Sequence, residues 1–233
     1  MIRTILWDVD NTLLDFKAAE RVALQTCFAR FGLGDCSDER IARYSELNTR
    51  WWKRLENGEV TKAQLLPGRF QEFFAAEGIP FTDYDAFNDS YQLLLGETVV
   101  FFDHGYELVR DLKEQGLRQY AVTNGTLIAQ RRKLRNSGLD KLFDGVFISE
   151  EVGAEKPSPD FFSTVLSAIG PCEKEELLLV GDSLTSDMRG GLWAGLPCCW
   201  YNPKGQPVPA GMEAIRYDIR NLNEVRDIVA EQH

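Results

Sequence analysis

Five short runs of almost unbroken apolar residues recur along this chain, at residues 2–7, 117–122, 145–149, 177–180 and 197–201. A run without polar alternation is what a strand buried on both faces requires, and such strands belong to parallel sheets. Helical patterns cover residues 106–115, 128–137, 159–169 and 186–194, and each stops at a glycine: Gly116, Gly138, Gly170 and Gly195. Glycine just past a periodic stretch is the expected helix stop. Parallel strands joined by helical crossovers of right-handed sense predict an α/β fold, a doubly wound, Rossmann-like parallel sheet. Ligands of such sheets bind outside the carboxyl ends of the strands, so the residues that follow each run are where chemistry is expected.

Between Leu14 and about residue 100 the strand signal disappears and aromatic residues at helical spacing take over, among them Phe28, Phe31, Trp51, Trp52, Phe70, Phe73, Phe74, Phe87 and Tyr91. The pattern predicts helices over 17–31, 38–56, 62–77 and 84–95, broken at Gly32-Leu33-Gly34, Asn57-Gly58 and Gly78-Ile79-Pro80. Thr61 stands where it can cap the third. The expected division is an α/β core of residues 1–15 and 101–233, interrupted by an all-helical domain of residues 16–100. Residues 202–211 read as a Pro/Gly loop.

The charge balance narrows the partners. With 26 Lys+Arg against 36 Asp+Glu the net charge is 26 − 36 = −10, which disfavours nucleic acid polymers and anionic membranes. A small phosphorylated ligand fits only where a metal ion reverses the local field. Five cysteines, Cys27, Cys36, Cys172, Cys198 and Cys199, include an adjacent pair and no C-x-x-C spacing, which points to a reducing cytoplasm. No apolar run approaches the roughly 18 to 20 residues of a membrane span, and the start Met-Ile-Arg-Thr-Ile-Leu-Trp-Asp has no leader pattern. The expectation is a cytoplasmic protein, a monomer or small homo-oligomer, with no membrane partner.

Asp8-Val9-Asp10-Asn11-Thr12 follows the first run. In extended geometry Asp8 and Asp10 point the same way. Two carboxylates facing one pocket call for a cation, and hard oxygen donors suit Mg²⁺, which bridges readily to phosphate. The alternative, that both cap the next helix, needs only one of them. Gly181-Asp182-Ser183-Leu184-Thr185-Ser186-Asp187 repeats the design after the fourth run: Asp182 can complete a metal site and Asp187 can orient it. Thr123-Asn124-Gly125 ends the second run, where a hydroxyl and backbone N–H groups at a helix start can cradle phosphate or simply form a cap. Lys156, in Glu155-Lys156-Pro157-Ser158-Pro159, would neutralise charge opposite such a cluster, although an isolated lysine is usually solvated. His104 and His233 are the only histidines and fall in no motif.

Taken together, Asp-x-Asp-x-Thr, Thr, Lys and Gly-Asp-x-x-x-x-Asp at successive strand ends resemble the haloacid dehalogenase superfamily, over residues 1–14 and about 104–202, with the helical insertion similar to that family's C1-type cap. The resemblance implies that Asp8 attacks phosphorus to form an aspartyl-phosphate while Asp10 protonates the leaving oxygen and then activates water. It also implies Mg²⁺, with Mn²⁺ as an alternative, held by Asp8, Asp182 and the Asp10 backbone carbonyl. Thr123 and Lys156 would hold phosphoryl oxygens, Asn124 and Gly125 would add backbone contacts, and Asp187 would support the metal shell. An acid at position 10 argues against a dehalogenase. Sugar-phosphate or phosphoglycolate phosphatases and phosphomutases share the motifs. A phosphonatase needs a cap lysine, and nothing singles out Lys17, Lys53 or Lys62. A signalling receiver, the reading from another class, has no place for the insertion. Residues 6–16 and Trp200-Tyr201-Asn202-Pro203 are similar to bacterial nucleotidases acting on pyrimidine nucleoside monophosphates; Phe16, Trp51 and Trp52 can stack a base, although aromatics at helical spacing more often build a core.

Overall fold

The first apolar run forms β1 (Thr4–Trp7), buried along its whole length. Ile5 and Trp7 join one apolar cluster and Leu6 another, the alternation of a strand covered on both faces. The computed structural model describes residues 1–230, so His233 lies outside it. Five strands follow: β2 (Arg118–Thr123), β3 (Gly145–Ile148), β4 (Leu177–Gly181), β5 (Cys198–Tyr201) and β6 (Tyr217–Ile219). All pair in parallel, in the order β3-β2-β1-β4-β5-β6. Leu6 stands level with Tyr120 of β2 and Leu179 of β4, so the chain leaves β1, β2 and β4 side by side. The order reverses between β1 and β4, the switch point at which doubly wound sheets open a crevice.

On one face α5 (Gly105–Glu114), α6 (Leu127–Ser137) and α10 (Glu224–Ala230) bury Leu108, Leu112, Leu134 and Val225. On the other, α8 (Pro159–Ile169) and α9 (Arg189–Ala194) cover Leu6, Leu177 and Leu179, with Phe161, Phe162 and Val165 innermost. Gly138 and Gly195 end α6 and α9 with φ of 76° and 71°, left-handed values that a side chain would resist.

Four elements differ from the sequence reading. The sheet has a sixth strand, β6, because Tyr217-Asp218-Ile219 is too short and polar to stand out as an apolar run, yet an edge position tolerates it. The third run stops at Ile148, and Ser149 opens a short helix, α7 (Ser149–Val152). The helix expected from Ser186 is preceded by a wide π turn over Leu184–Met188, capped by Ser183, which turns Asp187 inward. Helix α10 carried no sequence signal strong enough to be read.

Between β1 and α5 lie four helices, α1 (Phe16–Phe31), α2 (Asp38–Glu56), α3 (Lys62–Ala76) and α4 (Tyr84–Leu95). Asp15, Ser37, Thr61 and Asp83 cap their N-termini, and Thr61 forms the reciprocal box with Gln64. Their interior is a cage of rings in which Phe87 meets Phe70 and Phe74 edge-on at 4.8 and 4.9 Å. Truncating such a ring to alanine costs about 3–5 kcal/mol. The two connections to the sheet run side by side: the Asp15 N–H donates to Val100 O (2.8 Å) and the Phe102 N–H to Leu13 O (3.0 Å).

Candidate active site

Because β1 is interior, the first residue beyond it cannot reach bulk water freely, and Asp8 is 6% exposed. Its carboxylate accepts from the Lys156 ammonium (Oδ1, 2.8 Å) and the Thr12 hydroxyl (Oδ2, 2.8 Å). Lys156, on the loop between α7 and α8, is fully buried and also donates to Val122 O (2.8 Å) and Asp187 Oδ1 (2.6 Å). Asp187 completes its bonding by accepting from the Ser183 N–H (Oδ2, 3.1 Å). Gly181 lets Asp187 lie there, since a β-carbon on it would stand 2.4 Å from Asp187 Oδ2. Asp182 follows β4, and its own N–H donates to Thr12 Oγ1 at 3.1 Å. Thr12 therefore ties the loop after β1 to the loop after β4. Nothing in the motif Asp8-Val9-Asp10-Asn11-Thr12 by itself announces that role for Thr12.

One oxygen each of Asp8, Asp182 and Asp187 lies within 4.8 Å of the others. Burial first, and then the Asp187 charge, raise Asp8 to about 7 against the pull of Lys156. Burial, then Asp8 and Asp187, also hold Asp182 well above the usual carboxylate range. For Lys156, burial alone would lower the ammonium, but Asp187 and Asp8 outweigh it and hold it up. With all three carboxylates ionised, the one ammonium leaves 3 − 1 = 2 negative charges, and this unbalanced charge adds to burial in pushing Asp8 and Asp182 up. A hard divalent cation with oxygen ligands fits that donor set and that charge.

Asp10 lines the same cleft as Asp8, but its carboxylate is not in this cluster. It is ion-paired with Lys133 and accepts from Gln130 Nε2 (2.6 Å), both on α6. The two acids thus share a cleft and not a set of partners, and the metal reading for Asp10 rests on its backbone carbonyl alone. Lys133 is 1% exposed; in the sequence it disappears into Arg131-Arg132-Lys133, a run that reads as a solvated face. Gln130 is equally buried, and a β-carbon on Gly125 would fall 2.1 Å from its Nε2, so the glycine keeps the way open for the bond to Asp10.

Thr123 is buried at the end of β2 and accepts from the Gly125 N–H at 3.3 Å. Asn124 pairs reciprocally with the Lys156 backbone, donating to its carbonyl (2.8 Å) and accepting from its N–H (2.7 Å). Its side chain fixes the lysine loop against β2, a task beyond the backbone contact expected of it.

Above the strand ends the cleft, about 230 Å³, is closed by Phe16, Glu20, Asn48, Trp52 and Glu56 from α1 and α2. The ring of Phe16 lies 5.4 Å from the Lys133 ammonium. Trp51 is placed elsewhere: its indole donates to Glu72 (2.9 Å), stacks under Arg54 (4.4 Å) and abuts Gly68, so it does not line the cleft. Successive helical residues point about 100° apart, and it is Trp52 that turns inward. The α2 end is tied down by a Thr185 hydroxyl bond to Glu56 and by Arg189 on the Glu56 carbonyl (3.2 Å), and the α3 start by Lys62, which donates to Ser149 Oγ (2.7 Å) and pairs with Glu155 (3.3 Å). His104 lies at the second connection with φ 59°, outside the cleft.

Comparison with known proteins gives the family. The haloacid dehalogenase-like hydrolase profile matches residues 2–195. The HAD-hydrolase YfnB of Bacillus subtilis (strain 168) is 36% identical over 228 residues, 97% of this chain and 95% of YfnB. Its crystal structure, described as bound to magnesium and revealing interdomain movement, superposes with a TM-score of 0.91 at 35% identity, covering 98% of both chains. The pyrimidine 5'-nucleotidase PynA of Streptococcus pneumoniae (strain ATCC BAA-255 / R6) is 36% identical over 85% of this chain and 83% of its own. The pyrimidine 5'-nucleotidase YjjG of Escherichia coli (strain K12) is 27% identical over 97% of both. The chain therefore belongs to the haloacid dehalogenase-like hydrolases, as a phosphatase similar to the bacterial 5'-nucleotidases.

Proposed function

We propose that this chain is a Mg²⁺-dependent phosphomonoesterase that works through an aspartyl-phosphate, takes pyrimidine nucleoside 5'-monophosphates, and uses residues 16–100 as a cap over a core of residues 1–15 and 101–233. The supporting observation is the two negative charges left uncompensated among Asp8, Asp182, Asp187 and Lys156 beside the cleft. Asp8, Asp182 and the Asp10 carbonyl would hold the cation, with Asp187 anchoring Lys156; Mn²⁺ suits the same oxygens. When bound, the ion supplies positive charge to the phosphoryl oxygens.

The rest falls to the chain's own side chains. An Asp8 carboxylate oxygen forms a bond to phosphorus as the bond from phosphorus to the leaving oxygen breaks, and Asp10 gives that oxygen its proton. Water then attacks the same phosphorus, Asp10 takes its proton, and the Asp8 oxygen departs with the electron pair, regenerating the carboxylate. Thr123 and Lys156 offer an O–H and N–H bonds to the phosphoryl oxygens. Lys133 and Gln130 hold Asp10, and the cap excludes bulk water.

Five free thiols suit a reducing cytoplasm as the place of action, and no helix of the described residues is long and apolar enough to cross a membrane. The nucleotide reading draws on the likeness to PynA and YjjG. Phosphate release measured over nucleoside monophosphates, sugar phosphates and phosphoglycolate, with and without EDTA, tests it. Repeated turnover that stops in EDTA, returns with Mg²⁺ and is fastest for pyrimidine nucleotides is expected. Full activity in EDTA overturns the metal assignment, and a sugar phosphate as best substrate overturns the nucleotide.

A further inference from the structure

Each helix of the insertion contributes to a chain of buried hydrogen bonds inside the ring cage: Glu20 from α1, Asn48 from α2, Arg69 from α3 and Asn88 from α4, at 1, 3, 1 and 8% exposure. Arginine can only donate, so the bond from Arg69 Nη1 to Asn48 (2.9 Å) fixes which end of that amide is oxygen. The other end, Nδ2, then donates to Glu20 Oε1 at 2.9 Å. Arg69 is itself immobilised by Asn88 (3.0 Å) and by the faces of Phe70 and Tyr91, 4.8 and 5.1 Å from its guanidinium carbon. The Tyr91 hydroxyl adds a second bond to Glu20 (3.4 Å).

Stability does not account for this arrangement, because apolar side chains of the same volume hold a helical core together at least as well as a desolvated carboxylate and guanidinium. Position does. Glu20 and Asn48 line the same cleft as Asp8, Phe16 and Trp52, while Arg69 and Asn88 stand behind them and do not. Only one of the two Asn48 N–H bonds has an acceptor among the described residues. The cleft is therefore offered a rigid pair, an amide N–H donor beside a carboxylate acceptor, in a lining that also holds the rings of Phe16 and Trp52.

We propose that Glu20 and Asn48, held in register by Arg69, read the leaving group by its imide edge: Asn48 donates to a ring carbonyl and Glu20 accepts from the adjacent ring N–H. This rests on the nucleotidase reading and deepens it, since uracil and thymine present that edge at N3 and its neighbouring carbonyl.

The test is kcat/KM for uridine 5'-monophosphate, its N3-methyl analogue and ribose 5-phosphate, on the intact protein and on Glu20→Gln. Methylation removes the one N–H, and a site built to bond a polar group rejects an analogue that lacks it by roughly tenfold or more. In Glu20→Gln the preference for the unmethylated nucleotide should shrink severalfold. Both substrates are turned over by one preparation, so the ratio does not depend on how much of the variant folds. Wild-type protein that favours the nucleotide over ribose 5-phosphate but ignores the methyl group leaves the nucleotidase reading standing and overturns this one. Glu20→Gln with an undiminished preference overturns it as well. No preference for the nucleotide over ribose 5-phosphate overturns the nucleotidase reading itself.

Discussion

Replacing Lys156 by Met keeps most of the side-chain volume and removes the one positive charge inside a cluster of three carboxylates. The ammonium makes three bonds of 2.6 to 2.8 Å, two of them to carboxylates. With it gone, carboxylate oxygens within 4.8 Å of each other are left to repel, and at an effective dielectric of about 20 a pair at that distance repels by about 3.5 kcal/mol. Removing one partner of a buried ion pair typically costs about 3–5 kcal/mol, and the geometry gives no reason to expect less. For 233 residues the unfolding entropy is about 0.5 kcal/mol per degree, so Tm in EDTA at pH 8 should fall by about 6–10 °C. Asp8, raised to about 7 chiefly by burial and by Asp187, would rise further without the lysine. An acid raised in the folded state contributes stability at low pH that is lost as the pH climbs through its folded value, so the deficit should narrow at pH 6. Mg²⁺ should restore more of Tm in the variant than in the wild type. Thermal denaturation by circular dichroism reads all three quantities. A variant melting within about 2 °C of wild type in EDTA at pH 8 would refute the claim that Lys156 is the cluster's internal counter-charge.

Asp10→Asn should lower kcat by about 10² to 10⁴ for alkyl phosphates and much less for p-nitrophenyl phosphate, whose leaving group needs no proton; equal losses would remove Asp10 as the general acid. Trp52→Ala should raise KM for a nucleotide more than Trp51→Ala, since only the former lines the cleft; the reverse order in steady-state kinetics would place the base elsewhere. Glu77 is held down to about 2, first by its bond to Arg43 and then by Arg40, with burial opposing. Its contribution is present above the ordinary value of 4.5 and lost as the pH falls toward 2, so the Tm gap between wild type and Glu77→Gln should close across that interval, and a gap unchanged at pH 3 would refute the pairing.

The strands were legible because a strand buried on both faces must be apolar throughout, and the acids that follow β1 and β4 stand out against that background. The helical insertion was legible by its period and by capping residues such as Thr61. What the sequence determined by itself was thus local: where elements begin and end, and which reactive groups sit at their ends. Strand order was not local. Only the pairing of β1 between β2 and β4 brings Asp8 beside Lys156 and Asp182, residues up to 174 positions apart in number. Side-chain partners were less legible still. Asp8 and Asp10, two residues apart, line one cleft as expected, but with separate partners: Asp10 bonds to Lys133 and Gln130, whose burial no polar run such as Arg131-Arg132-Lys133 announces. Trp51 and Trp52 read alike, and the roll of α2 against α1 and α3 decides that the second faces the cleft. Period and propensity act over a few residues, whereas the direction in which one side chain points is settled by packing against neighbours that the chain brings from far away.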